Sequence, residues 1–125
     1  MEGSNGKPRI LVADDYEPIL TLLSRTLEYK YHITFAKNGN EAMKMVQDRG
    51  DSLDLLILDG SMPPGPSGVE VAAYANTQYP ELKVVIFSGE PAKFREQVLA
   101  DMPVFEKPKE LSALLGYVDS VLQEK

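Results

Sequence analysis

Polar side chains follow four of the five short apolar runs in this sequence, at the point where each run ends. They are Asp14 and Asp15 after the first run, Asp59 after the third, Ser88 after the fourth and Lys107 after the fifth. A single aspartate in such a position is often only a turn or helix-capping residue. Because the carboxyl ends of parallel strands meet at one edge of a sheet, where ligands bind, we expect these side chains to form one site.

The charges of these side chains indicate the chemistry of the site. Two carboxylates about 4 Å apart repel each other by about 4 kcal/mol at an effective dielectric constant of about 20, so three of them need a proton or a cation. Lys107 supplies one positive charge, and oxygen ligands without His or Cys favour Mg²⁺. Phosphoryl transfer to an aspartate requires such a set, in which the metal and the ammonium offset charge and a hydroxyl binds a phosphoryl oxygen.

Alternating strands and helices must position this site. Apolar runs at 10–13, 33–36, 53–58, 84–87 and 104–105 predict five strands, which are typical of a parallel sheet covered by helices. Apolar residues at helical spacing predict helices near 18–27, 40–47, 69–78, 92–100 and 111–122. The first helix is predicted to bury Ile19, Leu22, Leu23 and Leu27. The predicted fold is α/β, a single doubly wound (βα)₅ domain.

Composition excludes several other kinds of function. The chain has 125 residues and a net charge of −6, so we expect one domain and no direct contact with nucleic acid. It has no Cys and a single His, His32, which excludes disulfides and thiolate metal sites and argues against His-ligated zinc and a Ser-His-Asp triad. The chemistry is therefore expected to come from carboxylates.

No targeting or membrane signal is apparent in the sequence. The apolar runs are far shorter than the roughly 20 residues that span a bilayer, and the first residues lack the apolar segment of a signal peptide. We therefore expect a cytoplasmic protein without membrane contact, with residues 1–8 as a flexible tail and 9–123 as the folded domain.

As a spaced set, these residues resemble a response regulator receiver domain of two-component signalling. The segments that carry the resemblance are ILVADD at 10–15, NG and EA within 38–42, LLILD at 55–59, MP at 62–63, Gly68, VVIFSG at 84–89 and FEKP at 105–108. The resemblance implies a flavodoxin-like sheet in the strand order 2-1-3-4-5. It also implies a phosphorylation-dependent signalling switch, which catalyses its own phosphorylation and dephosphorylation but is not a turnover enzyme.

The resemblance implies a role for each residue of the site. Asp59 would be the phosphoacceptor, Lys107 would pair with the phosphoryl group, and Ser88 would donate a hydrogen bond to it, being drawn toward Asp59 on activation. The Lys107–Pro108 bond is implied to be cis. The donor would be the phosphohistidine of a sensor histidine kinase or a phosphotransfer protein, and the surface around the fourth helix and fifth strand would act on a downstream protein.

The resemblance also implies a metal, Mg²⁺ or Mn²⁺. Asp15, Asp59 and the backbone carbonyl of Ser61 would ligate it directly. Asp14 would act mainly through a metal-bound water.

Three features depart from the family pattern. Receivers often carry Tyr or Phe three residues before the lysine as a rotating switch, but this position is Val104, and strand alternation points Phe105 to the other face. Movement of the fourth-helix region is therefore the expected output. The loop at 62–68 carries three prolines, which should stiffen it. Gly60 and Ser61 are small, which is expected to leave the site open.

Three alternatives belong to other classes. A degenerate receiver would bind partners without being phosphorylated. The absence of the usual aromatic residue at Val104 is consistent with this alternative. A flavodoxin-like FMN carrier would need hydroxyl and amide groups after the first strand to bind the phosphate of FMN. This chain has Asp14 and Asp15 there, which would repel that phosphate. An aspartate-nucleophile phosphatase would have a larger fold and an Asp-x-Asp motif. The length of this chain does not fit that fold, and Asp14-Asp15 does not fit that motif.

Overall fold

The computed structural model describes residues 6–98 and 101–122. Strands and helices alternate along the chain. The strands are β1 Arg9–Ala13, β2 His32–Ala36, β3 Leu55–Leu58, β4 Lys83–Ser88 and β5 Val104–Glu106. The helices are α1 Glu17–Leu27, α2 Gly39–Arg49, α3 Gly68–Gln78, α4 Pro91–Arg95 and α5 Leu111–Leu122. Residues 1–5 of the predicted tail, residues 99 and 100 of the predicted fourth helix and residue 123 lie outside the described residues.

The five strands form one parallel sheet in the order β2-β1-β3-β4-β5, which confirms the predicted fold and strand order. β1 and β3 pair in register from Ile10 opposite Leu55 to Ala13 opposite Leu58. Each of these strands therefore ends at the same level, directly before an aspartate. This shared end is the edge at which the predicted site must form.

Alternate residues of the strands pack into two hydrophobic cores, one on each face of the sheet. Leu11 and Ala13 face the core shared with α2, α3 and α4. Ile10 and Val12 face the core shared with α1 and α5. β3 is buried on both faces, as expected for a central parallel strand.

Polar caps define where two of the helices begin. The Asn38 side chain accepts a hydrogen bond from the Glu41 N–H at 2.9 Å, and the Glu41 side chain accepts one from the Lys37 N–H, so these two interactions cap the start of α2. Ser67 and Glu70 form a capping box that starts α3. Both caps satisfy backbone donors that a helix start would otherwise leave unpaired.

Two predictions about helices are corrected by the structure. In α1, Leu20 is buried and Leu22 is exposed, because the helix turns the side of Ile19, Leu20, Leu23 and Leu27 toward the sheet. The fourth helix is much shorter than predicted and ends at Arg95. In the part of the chain that the structure describes, no helix is long and apolar enough to cross a membrane.

Candidate functional site

The ends of β1 and β3 hold two aspartates side by side. The Asp14 N–H donates to the Ala36 carbonyl at 3.1 Å, and the Asp59 N–H donates to the Ala13 carbonyl at 2.9 Å. The ladder of the sheet therefore continues for one residue past each strand. Because these bonds hold the backbone of both aspartates, the positions of their carboxylates depend on the sheet itself and not on a free loop.

Asp14, Asp15 and Asp59 form a compact carboxylate cluster. One oxygen of each residue lies within 4.8 Å of one oxygen of each of the others. Asp14 is 2% exposed and Asp59 is 9% exposed, whereas Asp15 is exposed. The cluster thus has a buried side and a side that opens to solvent at Asp15.

Lys107 places its ammonium between the two buried carboxylates. Its Nζ lies 2.7 Å from Asp14 Oδ2 and 3.5 Å from Asp59 Oδ1, and its side chain is 15% exposed. The Lys107 N–H donates to the Ser88 carbonyl at 2.8 Å, which fixes the residue beside β4. The Lys107–Pro108 peptide bond is cis, as the resemblance implies.

The pKa of Asp59 is raised from 3.8 to about 6. Burial is the largest cause, and the negative charge of Asp14 adds to it. Lys107 opposes the rise, and so does a backbone hydrogen bond from Gly60 to the carboxylate. The ionised carboxylate of Asp59 is therefore held in an unfavourable environment that additional positive charge would improve.

Ser88 ends β4 and is buried. Its Oγ accepts a hydrogen bond from the N–H of Glu90 at 2.9 Å, and Glu90 is the residue that precedes α4. This bond uses the hydroxyl as an acceptor, so its hydrogen is free to be donated to another group. Ser88 thus connects the strand end to the start of α4.

The loop at 62–68 is attached to the start of α2. The Gly39 N–H donates to the Met62 carbonyl at 2.8 Å, and the Asn40 N–H donates to the Pro64 carbonyl at 3.2 Å. Gly65 has a φ of +111°, a conformation that favours glycine. The loop is therefore held by its neighbours as well as by its prolines, while Ser61 before it is exposed.

The expectation that Gly60 leaves the site open is wrong. Gly60 is buried, and a Cβ placed on it would lie 2.5 Å from the Cδ2 and Cζ atoms of the Phe94 ring. The ring fills the space that the missing side chain leaves. This contact joins two segments far apart in sequence, and no local pattern in the sequence indicates it.

Val104 and Phe105 lie on opposite faces of the sheet, as strand alternation predicts. Val104 is buried in the same core as Phe94. Phe105 packs against the other core, with its ring centroid 5.9 Å from that of Tyr117. No aromatic ring at position 104 or 105 therefore faces the core that contains Phe94.

The donor set fits a hard divalent cation. All three side chains of the cluster offer carboxylate oxygens, which Mg²⁺ and Mn²⁺ prefer. Burial, and then the charge of Asp14, raise the pKa of Asp59 despite Lys107, so a bound cation would favour the ionised carboxylate. The exposed side at Asp15 leaves room for the waters that Mg²⁺ keeps in its coordination shell.

Comparison with known proteins identifies a family that matches most of the chain and curated relatives that match part of it. Residues 10–117 match the family model of the response regulator receiver domain. Among curated proteins, the oxygen regulatory protein NreC of Staphylococcus epidermidis is 35% identical over 83 residues, which cover 64% of this chain and 37% of that protein. NreC of Staphylococcus haemolyticus is 32% identical over the same coverage. The chain therefore spans little more than a third of the length of these relatives.

Solved structures show the same architecture. A response regulator receiver protein from Sinorhizobium medicae superposes with a TM-score of 0.85 at 25% identity, covering 97% of this chain and 98% of that one. The response regulator TrrA from Thermotoga maritima, solved in complex with Mg²⁺ and BeF, superposes with a TM-score of 0.78 at 33% identity. That match covers 92% of this chain and 99% of TrrA.

Proposed function

The chain belongs to the response regulator receiver domain family, and on that basis we propose that it is a phosphorylation-dependent signalling switch with Asp59 as its phosphoacceptor. The observation that carries the proposal is the position of Lys107, whose ammonium lies between Asp14 and Asp59 at the edge of a cluster of three carboxylates. The donor is the phosphohistidine of a sensor histidine kinase or a phosphotransfer protein.

The transfer is an in-line displacement at phosphorus. An oxygen of the Asp59 carboxylate attacks, the new O–P bond forms as the P–N bond to the donor histidine breaks, and the electron pair of that bond stays on the imidazole, which takes up a proton. The Lys107 ammonium offsets charge on the transferring oxygens. The Ser88 hydroxyl, whose hydrogen is not used by its bond from Glu90, donates to one of them.

A divalent cation completes the charge balance of the proposed site. Asp15, Asp59 and the carbonyl of Ser61 would hold Mg²⁺ or Mn²⁺, and Asp14 would act mainly through a metal-bound water. When bound, the cation stabilises negative charge on the transferring phosphoryl group. The support for this ligand set is the mutual distance of the three carboxylates.

The domain acts as a switch and not as a turnover enzyme. Water later attacks the phosphorus, the P–O bond to Asp59 breaks, and phosphate and the free Asp59 carboxylate are released. The output is the temporary phosphorylated state of the protein and not a product that it makes for another reaction. We place the switch in the cytoplasm, where phosphohistidine donors are made from ATP, and assign the receiver to residues 9–123. The acidic net charge of −6 argues against direct nucleic-acid contact by this domain.

The test is incubation with MgCl₂ and acetyl phosphate, followed by measurement of intact mass. We expect one phosphoryl group on the wild-type protein and none on Asp59→Asn. Asp51→Asn, which alters an exposed aspartate outside the site, is the matched control and should be modified like wild type. An unmodified wild-type protein would contradict the proposal and favour a degenerate receiver that binds partners without phosphorylation.

A further inference from the structure

Helix α4 is held to the domain mainly through one aromatic ring. The helix has five residues, and Phe94 is the only one of them that is buried, at 3% exposure. Arg95 adds a hydrogen bond from its Nη2 to the Val104 carbonyl at 3.1 Å, and the Lys93 Nζ lies over the Phe94 ring, 5.2 Å from its centroid. A change in the position of this ring would therefore change the position of the helix.

The same ring lies against the residue that follows the proposed phosphoacceptor. Gly60 has no Cβ, and the Phe94 ring occupies the place where one would be. The backbone N–H of Gly60 also bonds the Asp59 carboxylate. The Asp59 carboxylate is thus connected to α4 through one hydrogen bond, from Gly60, and one van der Waals contact, between Gly60 and Phe94.

The contact lies in the interior of the domain. Gly60 and Phe94 are both buried, and packed interiors transmit small displacements because they contain few voids. The position that usually carries the switching ring holds Val104, which is buried in the same core as Phe94. Phe94 is therefore the aromatic side chain that faces this side of the site from the output helix.

We propose that Phe94 is the residue that transmits the phosphorylation of Asp59 to α4, through its contact with Gly60. The proposal rests on the phosphorylation proposed above. When Asp59 gains a phosphoryl group, its carboxylate gives up its present hydrogen bonds, the Gly60 backbone shifts, and the Phe94 ring follows and carries α4 with it. A second link supports the same movement, because the Ser88 hydroxyl is bonded to Glu90 at the start of α4.

The test compares backbone amide chemical shifts before and after addition of MgCl₂ and beryllium fluoride, a mimic of the aspartyl phosphate. In the wild-type protein we expect shifts at the amides of Lys93, Arg95 and Gln97. In Phe94→Leu the shifts at these amides should fall at least threefold, while phosphorylation by acetyl phosphate, measured by intact mass, is retained. Phe105→Leu, which removes a ring on the other face of β5, is the matched control and should respond like wild type.

A second variant approaches the same contact from Gly60. Gly60→Ala places a methyl group where the ring lies, so we expect it to shift the α4 amides without any phosphate mimic. Phe94→Leu combined with Gly60→Ala should remove most of that shift, because the smaller side chain leaves room for the methyl group.

The outcomes separate the two proposals. A wild-type protein that is not phosphorylated would overturn the switch itself. If the wild type is phosphorylated and Phe94→Leu retains the full α4 response, the role of Phe94 is overturned and the switch stands. If Gly60→Ala leaves the α4 amides at their wild-type positions, the Gly60–Phe94 contact does not carry the signal.

Discussion

Lys107 forms its shorter ion pair with Asp14, at 2.7 Å, and lies 3.5 Å from Asp59. The ammonium is thus held by a carboxylate that is not the proposed phosphoacceptor. Asp14 in turn accepts a hydrogen bond from the Tyr16 N–H at 2.9 Å. The lysine is therefore kept within reach of Asp59 by a different carboxylate.

The first prediction concerns the loss of this cation. Lys107→Met leaves two buried carboxylates without their positive partner, so we expect the free energy of unfolding at pH 7.5 in EDTA to fall by about 3 kcal/mol. Chemical denaturation measures it. Lys44→Met is the control, because Lys44 is 77% exposed and pairs with Asp48 in the same helix. It should change stability by less than about 0.5 kcal/mol, and equal effects of the two substitutions would contradict the prediction.

The second prediction concerns pH. Burial raises the pKa of Asp59 from 3.8 to about 6, so ionisation of Asp59 lowers the free energy of unfolding. This loss is complete above pH 6, decreases between pH 6 and 3.8, and is absent below pH 3.8. Asp59→Asn cannot ionise. A shift of about two pKa units sets the largest possible effect on stability, and solvent screening reduces it. In EDTA at pH 7.5 we therefore expect the free energy of unfolding of this variant to exceed that of wild type by about 2 kcal/mol.

The measurement is a series of denaturation curves between pH 4 and pH 8 for both proteins. The advantage of Asp59→Asn should disappear as the pH approaches 4. An advantage that is independent of pH would show that the ionisation of Asp59 is not its source.

The third prediction concerns the divalent cation. A ligand that binds only the folded state raises its stability, so 10-fold steps of MgCl₂ should raise the midpoint of thermal unfolding of the wild-type protein. Asp15→Asn removes the exposed carboxylate of the cluster and should abolish most of this rise. Asp51→Asn, an exposed aspartate elsewhere, should retain it. A rise that is the same in all three proteins would indicate a general salt effect.

The fourth prediction compares two glycines. Gly65→Ala forces a side chain onto a φ of +111° and against the backbone and side chain of Asn40, so we expect a loss of about 2 kcal/mol in the free energy of unfolding. Gly116 is exposed in α5, and nothing lies within 4 Å of the place that a Cβ would take there. Gly116→Ala should therefore stabilise the domain by about 0.5 to 1 kcal/mol. Denaturation curves of both variants measure whether the free energy of unfolding falls in Gly65→Ala and rises in Gly116→Ala, as expected.

The sequence predicted the fold and the edge of the sheet on which the site lies. Asp14, Asp59, Ser88 and Lys107 each follow an apolar run, and parallel topology alone brings the ends of such runs together. The strand order required the resemblance to a family, because alternation of strands and helices is compatible with more than one order. The structure has the implied order.

Contacts between distant segments could not be predicted in the same way. The Gly60–Phe94 contact depends on how α4 packs, and neither residue carries a local signal for the other. The same is true of the hydrogen bonds between the 62–68 loop and the start of α2. In α1, several leucines have a spacing that is compatible with burial, so the sequence alone does not distinguish Leu20 from Leu22. Packing against the sheet determines which of them is buried.

The small size of α4 has a consequence for its local stability. Isolated helices shorter than about 12 residues are marginal in water, so a helix of five residues persists through its attachments, among them the Phe94 ring, the Arg95 guanidinium and the hydrogen bond from Glu90 to Ser88. Its amides should exchange their hydrogens through local opening, whereas those of β1 and β3 require global unfolding. A phosphoryl group at Asp59 would therefore act on a segment whose opening costs little free energy.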